Sequence, residues 1–415
     1  MPEFLYIHIP FCIKKCLYCD FFSVPYDESL AKTYTDALCS ELSLKKGFAK
    51  TLKTIYIGGG TPSLLPDECF TQLFRCLRDN FHLSSSPEIT VEANPGTINQ
   101  SKITTLLSLG VNRLSIGIQS FEDEELKTLG RIHTEDDALQ SIELIKNTGL
   151  DIFSIDLMYG IPGQTIDSWK KSISKAIELS PAHISTYELT LEENTPLYEL
   201  IQSDEINPPS PTLNSPLAKE GYRGVINTET EGFSGKIKMP DEGLILEMYN
   251  YVIDYLTFCG YEHYEVSNFA LPGFRCIHNL NYWARGEYIG VGAGAHSFVK
   301  GVRSNNIKDV NNYIDDLNKG IIPETESTKL TSEEIFKEFI FLGLRKTDGI
   351  SINKLPPFTP PLARGDRGGC DSLLNACKEL VDDGYLEIEN GNLRLTRKGL
   401  VISNTIIVKL FERLM

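Results

Sequence analysis

Three cysteines, Cys12, Cys16 and Cys19, stand in a Cys-x3-Cys-x2-Cys spacing directly after the apolar run LYIHI. Three thiolates cannot complete the four-cysteine shell of an electron-transfer iron–sulfur cluster, so a [4Fe–4S] cluster held here keeps one iron free of protein thiolate. Such an iron can chelate the amino and carboxylate groups of a methionine moiety and set its sulfonium where one electron from the cluster cleaves it. The protein's share of that chemistry is positioning and the exclusion of water. The competing reading is a zinc site, which needs four ligands with a second close pair. No second pair of that spacing exists in the chain.

Further residues with chemical potential fall at or near the ends of β-branched runs. In Gly58-Gly59-Gly60-Thr61-Pro62, exposed backbone N–H and C=O groups could hold a small amino-acid moiety closely. The same five residues also read as a turn, with Thr61 as a helix N-cap and Pro62 in the first helical position. Glu92 lies in VEANPG, Gln119 in SIGIQSF, Arg131 in LGRIH and Asp156 in SIDLMYG. A carboxylate among apolar strand neighbours is costly unless paired, so Glu92 and Asp156 call for a partner, either a ligand or a structural one. In the segment Arg275 to Trp283, Cys276 and His278 are haem-iron ligand types, and Tyr282 and Trp283 could stack on a porphyrin. The plainer alternative there is a hairpin whose aromatics pack the barrel mouth, with His278 hydrogen-bonded inside. The glycines at 290–294 do not make a GxGxxG pattern, so a dinucleotide site is not supported.

Six runs must position these groups: LYIHI, TIYIGGG, EITVEA, RLSIGIQ, DIFSIDLMYG and HISTYELTL. They alternate with stretches long enough for a helix, such as 28–46, 66–80 and 134–148, which predicts a parallel βα array. The fold class expected is α/β, a partial (β/α)6 TIM-like barrel with its chemistry beyond the C-terminal ends of the strands. TSEE at 331–334 is a capping box opening a helix, and 372–384 reads as another. YLEIENGNLRLT is a hairpin turning at Asn390-Gly391, and one final helix follows. These elements predict a C-terminal α+β winged-helix-like domain. Its obvious use is DNA binding, but residues 331–415 hold 12 Lys/Arg against 12 Asp/Glu and leave no electrostatic footprint. A lid or docking role is favoured instead.

The expected organisation is a barrel core over 1–203, an inserted low-complexity loop over 204–239, a barrel-completing region over 240–304, and the C-terminal domain over 305–415. A second inserted loop occupies 355–370. The two inserts share Pro216-Leu217-Ala218-Lys219 and Pro361-Leu362-Ala363-Arg364, each with a glycine, Gly224 or Gly369, at the same later offset. A spreading sequence element tolerated in exposed loops explains this better than a repeated binding motif. A net charge of −16 argues against nucleic acid and anionic lipid surfaces. No run approaches the roughly 18 apolar residues of a membrane span, so a cytoplasmic location is expected. Ten cysteines in such a chain are not a disulfide framework. The seven outside the motif are read as small buried hydrophobes.

The Cys-x3-Cys-x2-Cys motif after a strand, with Tyr18 before its last cysteine, resembles the radical S-adenosylmethionine (SAM) superfamily. With YxHIPFC, GGGTP, ExNP and GxQSF, the resemblance narrows to the branch that includes the oxygen-independent coproporphyrinogen III oxidases. It covers nearly the whole chain outside the inserts, and it implies that Tyr6, Gly59, Gly60, Thr61, Glu92, Gln119, Arg131 and Asp156 contact SAM. Arg131 would take the SAM carboxylate, Glu92 its ammonium group, and Gln119 and Asp156 the ribose hydroxyls; Tyr6 and Tyr18 would wall the cluster and adenine. Two departures separate the chain from true oxidases of that branch. Those carry a further cysteine two residues after the third ligand, where this chain has Phe21, and the HNLNYW stretch at 278–283 resembles the HNxxYW signature of the HemW haem-chaperone family. That second resemblance implies haem as a third cofactor, an acceptor protein of unknown identity, no porphyrin decarboxylation, and dimers when haem and cluster are bound.

Overall fold

The computed structural model describes residues 1–150, 152–206, 238–357 and 369–414. The two inserted segments lie largely outside the described residues. Nine strands form one sheet: β1 (Phe4–Ile9), β2 (Leu52–Gly59), β3 (Leu83–Ala93), β4 (Arg113–Gln119), β5 (Phe153–Tyr159), β6 (His183–Glu188), β7 (Glu262–Glu265), β8 (Asn268–Ala270) and β9 (Ile289–Val291). Their order is β9-β1-β2-β3-β4-β5-β6-β8-β7. All neighbours are parallel from β9 to β6, and the β7–β8 hairpin adds an antiparallel edge. This is the α/β partial barrel that the six runs predicted, with three strands added from the later segment.

Strand alternation decides what each face carries. Leu5, Ile7, Ile55, Ile57, Val91 and Ile155 face the crossover helices and are fully buried. Those helices begin where polar caps stop the backbone competing with itself: Thr134 and Thr165 each form a capping box over Glu135–Asn147 and Ile166–Glu178. The inner face is different. By register Tyr6 stands beside Tyr56, Glu92 beside Ser115, and Asp156 beside Ser185, which in turn lies opposite Asn268. A TIM barrel fills this space with layers of branched apolar side chains. Here it is lined by polar groups, and Tyr6, Tyr56, Glu92 and Asp156 all stay partly exposed, so the barrel encloses an open chamber.

The β9 edge is fastened by a buried ion pair. Glu41 and Lys45, on the helix Glu28–Leu44 and its C-cap, lie 2.7 Å apart with side chains 0% and 6% exposed. Lys45 donates to the Gly290 carbonyl at 2.8 Å. Glu41 accepts from Gly292 N at 2.8 Å, Asn306 Nδ2 at 2.7 Å and the Tyr313 hydroxyl at 2.5 Å. Removing one partner of such a pair strands the other charge in low dielectric. Lys45→Met is therefore expected to destabilise the protein by about 3 kcal/mol, measured as a lower urea midpoint at unchanged slope.

Beyond the barrel, His296–Val299, Val302–Asn306 and Glu324–Lys329 form a second, antiparallel sheet. The C-terminal domain carries the expected capping box, Thr331 with Glu334, at the start of Ser332–Gly343. Its hairpin, Leu386–Glu389 with Asn392–Leu395, turns through Asn390 and Gly391 at φ 51° and 76°, and Ile350–Ser351 pairs as a third strand. The single final helix expected from sequence is two, Arg397–Val401 and Ser403–Leu414, broken at Ile402. Among the described residues, no helix is long and apolar enough to cross a membrane.

Candidate cluster and cofactor site

The cysteine loop leaves β1 at its C-terminal end and is tied shut at its base. Phe11–Cys12 pairs in parallel with Val24–Pro25, with Val24 N donating to Pro10 O at 2.7 Å and Tyr26 N to Cys12 O at 2.9 Å. Its far side is pinned by Leu17 N to Leu129 O at 3.0 Å and Leu197 N to Leu17 O at 2.9 Å. Gly130, at φ +71°, has no room for a side chain, since a Cβ there would stand 2.6 Å from Leu17 Cγ. Cys12, Cys16 and Cys19 are free and partly exposed. Burial raises the Cys12 thiol and pushes Cys19 up to about 11, and the neighbouring sulfurs add to both shifts. Among the described residues, no three His, Cys, Asp or Glu side chains could hold a single ion. Three thiols near one another, unpaired and spread around a loop, fit a cluster that takes each thiolate on a different iron.

Arg131 joins this loop to the strand ends. Its Nη1 donates to Cys16 Sγ at 3.5 Å, and its Nη2 to Asn94 Oδ1 at 2.6 Å and to the Gly117 carbonyl. Its Nε is buried with no partner, a free donor in a cleft lined also by Cys16, Thr61, Asn94 and His133. Asn94 Nδ2 donates in turn to Thr61 Oγ1 at 2.9 Å, and that hydroxyl lies 3.8 Å from Cys12 Sγ. The turn reading of GGGTP holds in part: Pro62–Leu64 is a 3₁₀ turn, but Thr61 makes no side-chain cap, because its hydroxyl is turned to Asn94. Tyr18 and Leu17 pack against a small buried cluster that includes Leu129 and Met158, and Tyr18 lies beside Arg131.

The triple glycine is a close-approach device. A Cβ on Gly58 would sit 2.9 Å from the Glu92 carboxyl, one on Gly59 (φ +120°) 2.6 Å from the His8 ring, and one on Gly60 2.7 Å from Phe11 O. Glu92 accepts from Gly59 N at 3.0 Å and from the Tyr56 hydroxyl at 2.7 Å. Among the described residues, no cation pairs with it. Burial, with Asp156 adding, pushes its pKa up to about 7. Asp156 is held by Ser115 at 2.9 Å and Ser154 at 3.2 Å, and burial raises it too, against those hydroxyls. Gln119 ends β4 at φ 70°, paired with Leu157 after a register shift between Gly117 and Gln119 that leaves Ile118 as the extra residue. Tyr6 lies deeper than expected of a wall to the cluster. Its ring stacks on Tyr56 at 6.2 Å and its hydroxyl donates to His8 Nδ1 at 2.9 Å.

The HNLNYW segment is a helix, Ile277–Trp283, and not a hairpin. It crosses the N-terminal ends of the strands, the floor of the chamber, whereas the mouth holds the cluster loop. Glu88 caps it, accepting from Ile277 N and His278 N at 2.9 Å each, and Arg113 at the start of β4 donates to Phe274 O at 3.0 Å. His278 is hydrogen-bonded inside, 1% exposed, with Nδ1 2.7 Å from Thr54 Oγ1 and Nε2 3.0 Å from the Tyr282 hydroxyl. Burial lowers its pKa to about 3, so the ring is neutral. Cys276 is 2% exposed and pushed up to about 12 by burial, with Glu88 adding. The two aromatics part company. Tyr282 packs edge-on to Tyr288 at 4.7 Å, while Trp283 lies under the Arg345 guanidinium at 5.6 Å with its Nε1 buried and unpartnered.

Residues 6–176 match the model of the radical SAM superfamily, and residues 330–402 that of the HemN C-terminal domain. The chain is 35% identical over 407 residues to the heme chaperone HemW of Bacillus subtilis (strain 168), spanning 97% of each protein. The chain belongs to the HemW family of radical SAM proteins. It is also 34% identical to the Lactococcus lactis HemW, over 98% of this chain and 97% of that one. The solved structure of coproporphyrinogen III oxidase (HemN) from Escherichia coli shares its fold, with a TM-score of 0.76 at 21% identity, covering 98% of this chain and 89% of that one. Membership of the superfamily implies a [4Fe–4S] cluster and SAM, and the three free thiols with Arg131 beside them fit that demand.

Four groups in this HemW-family chamber escaped the sequence reading. His8 bridges Tyr6 to the cluster loop, donating from Nε2 to Phe22 O at 3.1 Å, and burial lowers its pKa to about 4. Asn94 orients Arg131 and Thr61 together, Tyr56 holds Glu92, and the serines hold Asp156. His8 and Asn94 sit inside motifs already quoted, YxHIPFC and ExNP, which was a usable signal. Tyr56 and the serines had none beyond strand alternation.

Proposed function

We propose that this protein is a haem chaperone that holds a [4Fe–4S] cluster on Cys12, Cys16 and Cys19 and SAM along Gly59, Gly60, Thr61, Glu92, Gln119, Arg131 and Asp156. It takes up haem at the 276–283 segment and passes it to an acceptor protein. The observation that carries this reading is the identity with proteins named heme chaperone HemW along 97% of both chains. SAM, when bound with the cluster, would supply one-electron chemistry. Arg131 offers its free Nε to a carboxylate there, and Glu92 offers its charge to an ammonium group. Because both nitrogens of His278 are engaged, iron ligation by that ring requires its bond to Thr54 or its bond to Tyr282 to break.

The oxidase alternative lacks its further thiol, the place being taken by Phe21, 68% exposed on the loop. An anaerobic haem titration followed by absorbance, on cluster-reconstituted wild type and His278→Ala, tests the chaperone reading. Near-stoichiometric binding is expected for the wild type, with affinity about tenfold lower and an altered spectrum in the variant. Equal, nonspecific binding by both, together with turnover of coproporphyrinogen III in the presence of SAM and reductant, would establish the oxidase instead.

A further inference from the structure

Tyr56 touches both ends of the chamber. Its hydroxyl donates to Glu92 Oε1 at 2.7 Å, and its ring stacks on His278 at 5.1 Å with 29° between planes. Gly58 leaves bare backbone beside them, a Cβ there being 2.9 Å from both Tyr56 Cε1 and the Glu92 carboxyl, so any side chain at 58 would displace phenol and carboxylate together. On the other side, His278 is held by Thr54, two residues before Tyr56 on the same face of β2, and by Tyr282 at 3.0 Å. A displacement of the phenol therefore reaches the helix through one packed ring.

We propose that Tyr56 is a positioning residue that couples the cofactor site to the chamber floor: a ligand ammonium at Glu92 orders Tyr56, and through His278 it orders the helix Ile277–Trp283. The inference rests on the reading above for where SAM and haem bind. Its physics is a change in one hydrogen bond. An ammonium beside Glu92 keeps the carboxylate ionised, and a bond from Tyr56 to an ionised acceptor is roughly twice as strong as one to a neutral acid. The ring is then fixed, and His278 with it. Whatever factor SAM imposes on haem affinity, haem must impose on SAM affinity.

The test is amide hydrogen exchange across 277–283 in the cluster-reconstituted full chain, with and without saturating SAM, in wild type and Tyr56→Phe. Phenylalanine keeps both ring stacks and deletes only the hydroxyl. SAM is expected to slow exchange of these amides about fivefold or more in the wild type and to leave them unchanged in the variant, each measured at a SAM concentration that equilibrium dialysis shows to be saturating for that protein. No slowing in the wild type overturns the coupling, as does the same slowing in the variant, so the wild-type measurement alone can overturn it even if the variant fails to fold. The exchange measurement uses no haem. Absence of haem binding sinks the chaperone reading, whereas haem binding with no SAM effect on 277–283 sinks the coupling alone.

Discussion

Exchange of Glu92 for glutamine is expected to stabilise the SAM-free protein at pH 8 and to weaken SAM binding by about 30- to 100-fold. Both effects come from one misfit. Glu92 titrates near 7 in the folded chain against 4.5 for an ordinary glutamate, because burial opposes its charge more than Tyr56 and Gly59 support it. A folded pKa above the unfolded one means that the native state binds the extra proton. Stability is therefore present below about pH 4.5, falls as pH rises toward 7, and stays reduced above that. The neutral amide removes a penalty of about 3 kcal/mol at pH 8 and almost nothing at pH 4. Melting curves at the two pH values check this; an equal shift at both would show that the carboxylate is not the strained group. The amide cannot supply the charge an ammonium group requires, and losing a charge-assisted hydrogen bond costs about 2 to 3 kcal/mol. SAM affinity read by equilibrium dialysis should fall by the corresponding factor. In the wild type it should also weaken as pH drops below 7.

Serine at Cys16 is expected to abolish cluster assembly while leaving the fold intact. Cys16 is partly exposed on a loop whose closure depends on backbone bonds at Phe11–Cys12 and Val24–Pro25, none of which involves the sulfur. Far-ultraviolet circular dichroism should be unchanged. Iron after anaerobic reconstitution should drop from about four per chain to near zero, since two thiolates leave a cubane with two open irons. Cys39→Ser, outside the motif, serves as the control and should keep its iron. Retention of one equivalent of zinc by the wild type, with no iron taken up, would favour the metal-ion reading instead.

Much of the barrel was legible because alternation and spacing are local. Each of the six β-branched runs became a strand of the parallel sheet, and the Thr331 and Asn390-Gly391 signals marked their elements correctly. The break at Ile402 was not legible, because two short helices separated by one residue share the periodicity of a single one. Of the seven cysteines outside the motif, Cys69, Cys276 and Cys377 are buried as expected, whereas Cys39, Cys76 and Cys259 are only half-buried, and the Cys370 side chain lies outside the described residues. The hairpin alternative for the HNLNYW stretch was wrong in form and in place, although its buried, hydrogen-bonded His278 held. Nothing in its own residues says that Glu88 caps it or that Thr54 receives His278, since those partners lie 190 and 224 residues away along the chain.

By itself, then, the sequence determined the thiol spacing, the glycines that let backbone approach backbone, the alternation of each strand and the caps of the helices. All of these depend on neighbours within a few positions. Only the tertiary structure decided that Ile289–Val291 closes onto β1, that Glu41 and Lys45 fasten that edge, and that the barrel's inside is an open polar chamber with its aromatic helix at the floor. The physical reason is sheet closure. Register between distant strands selects which side chains share a face, and only after that selection do Tyr56, Glu92 and His278 meet.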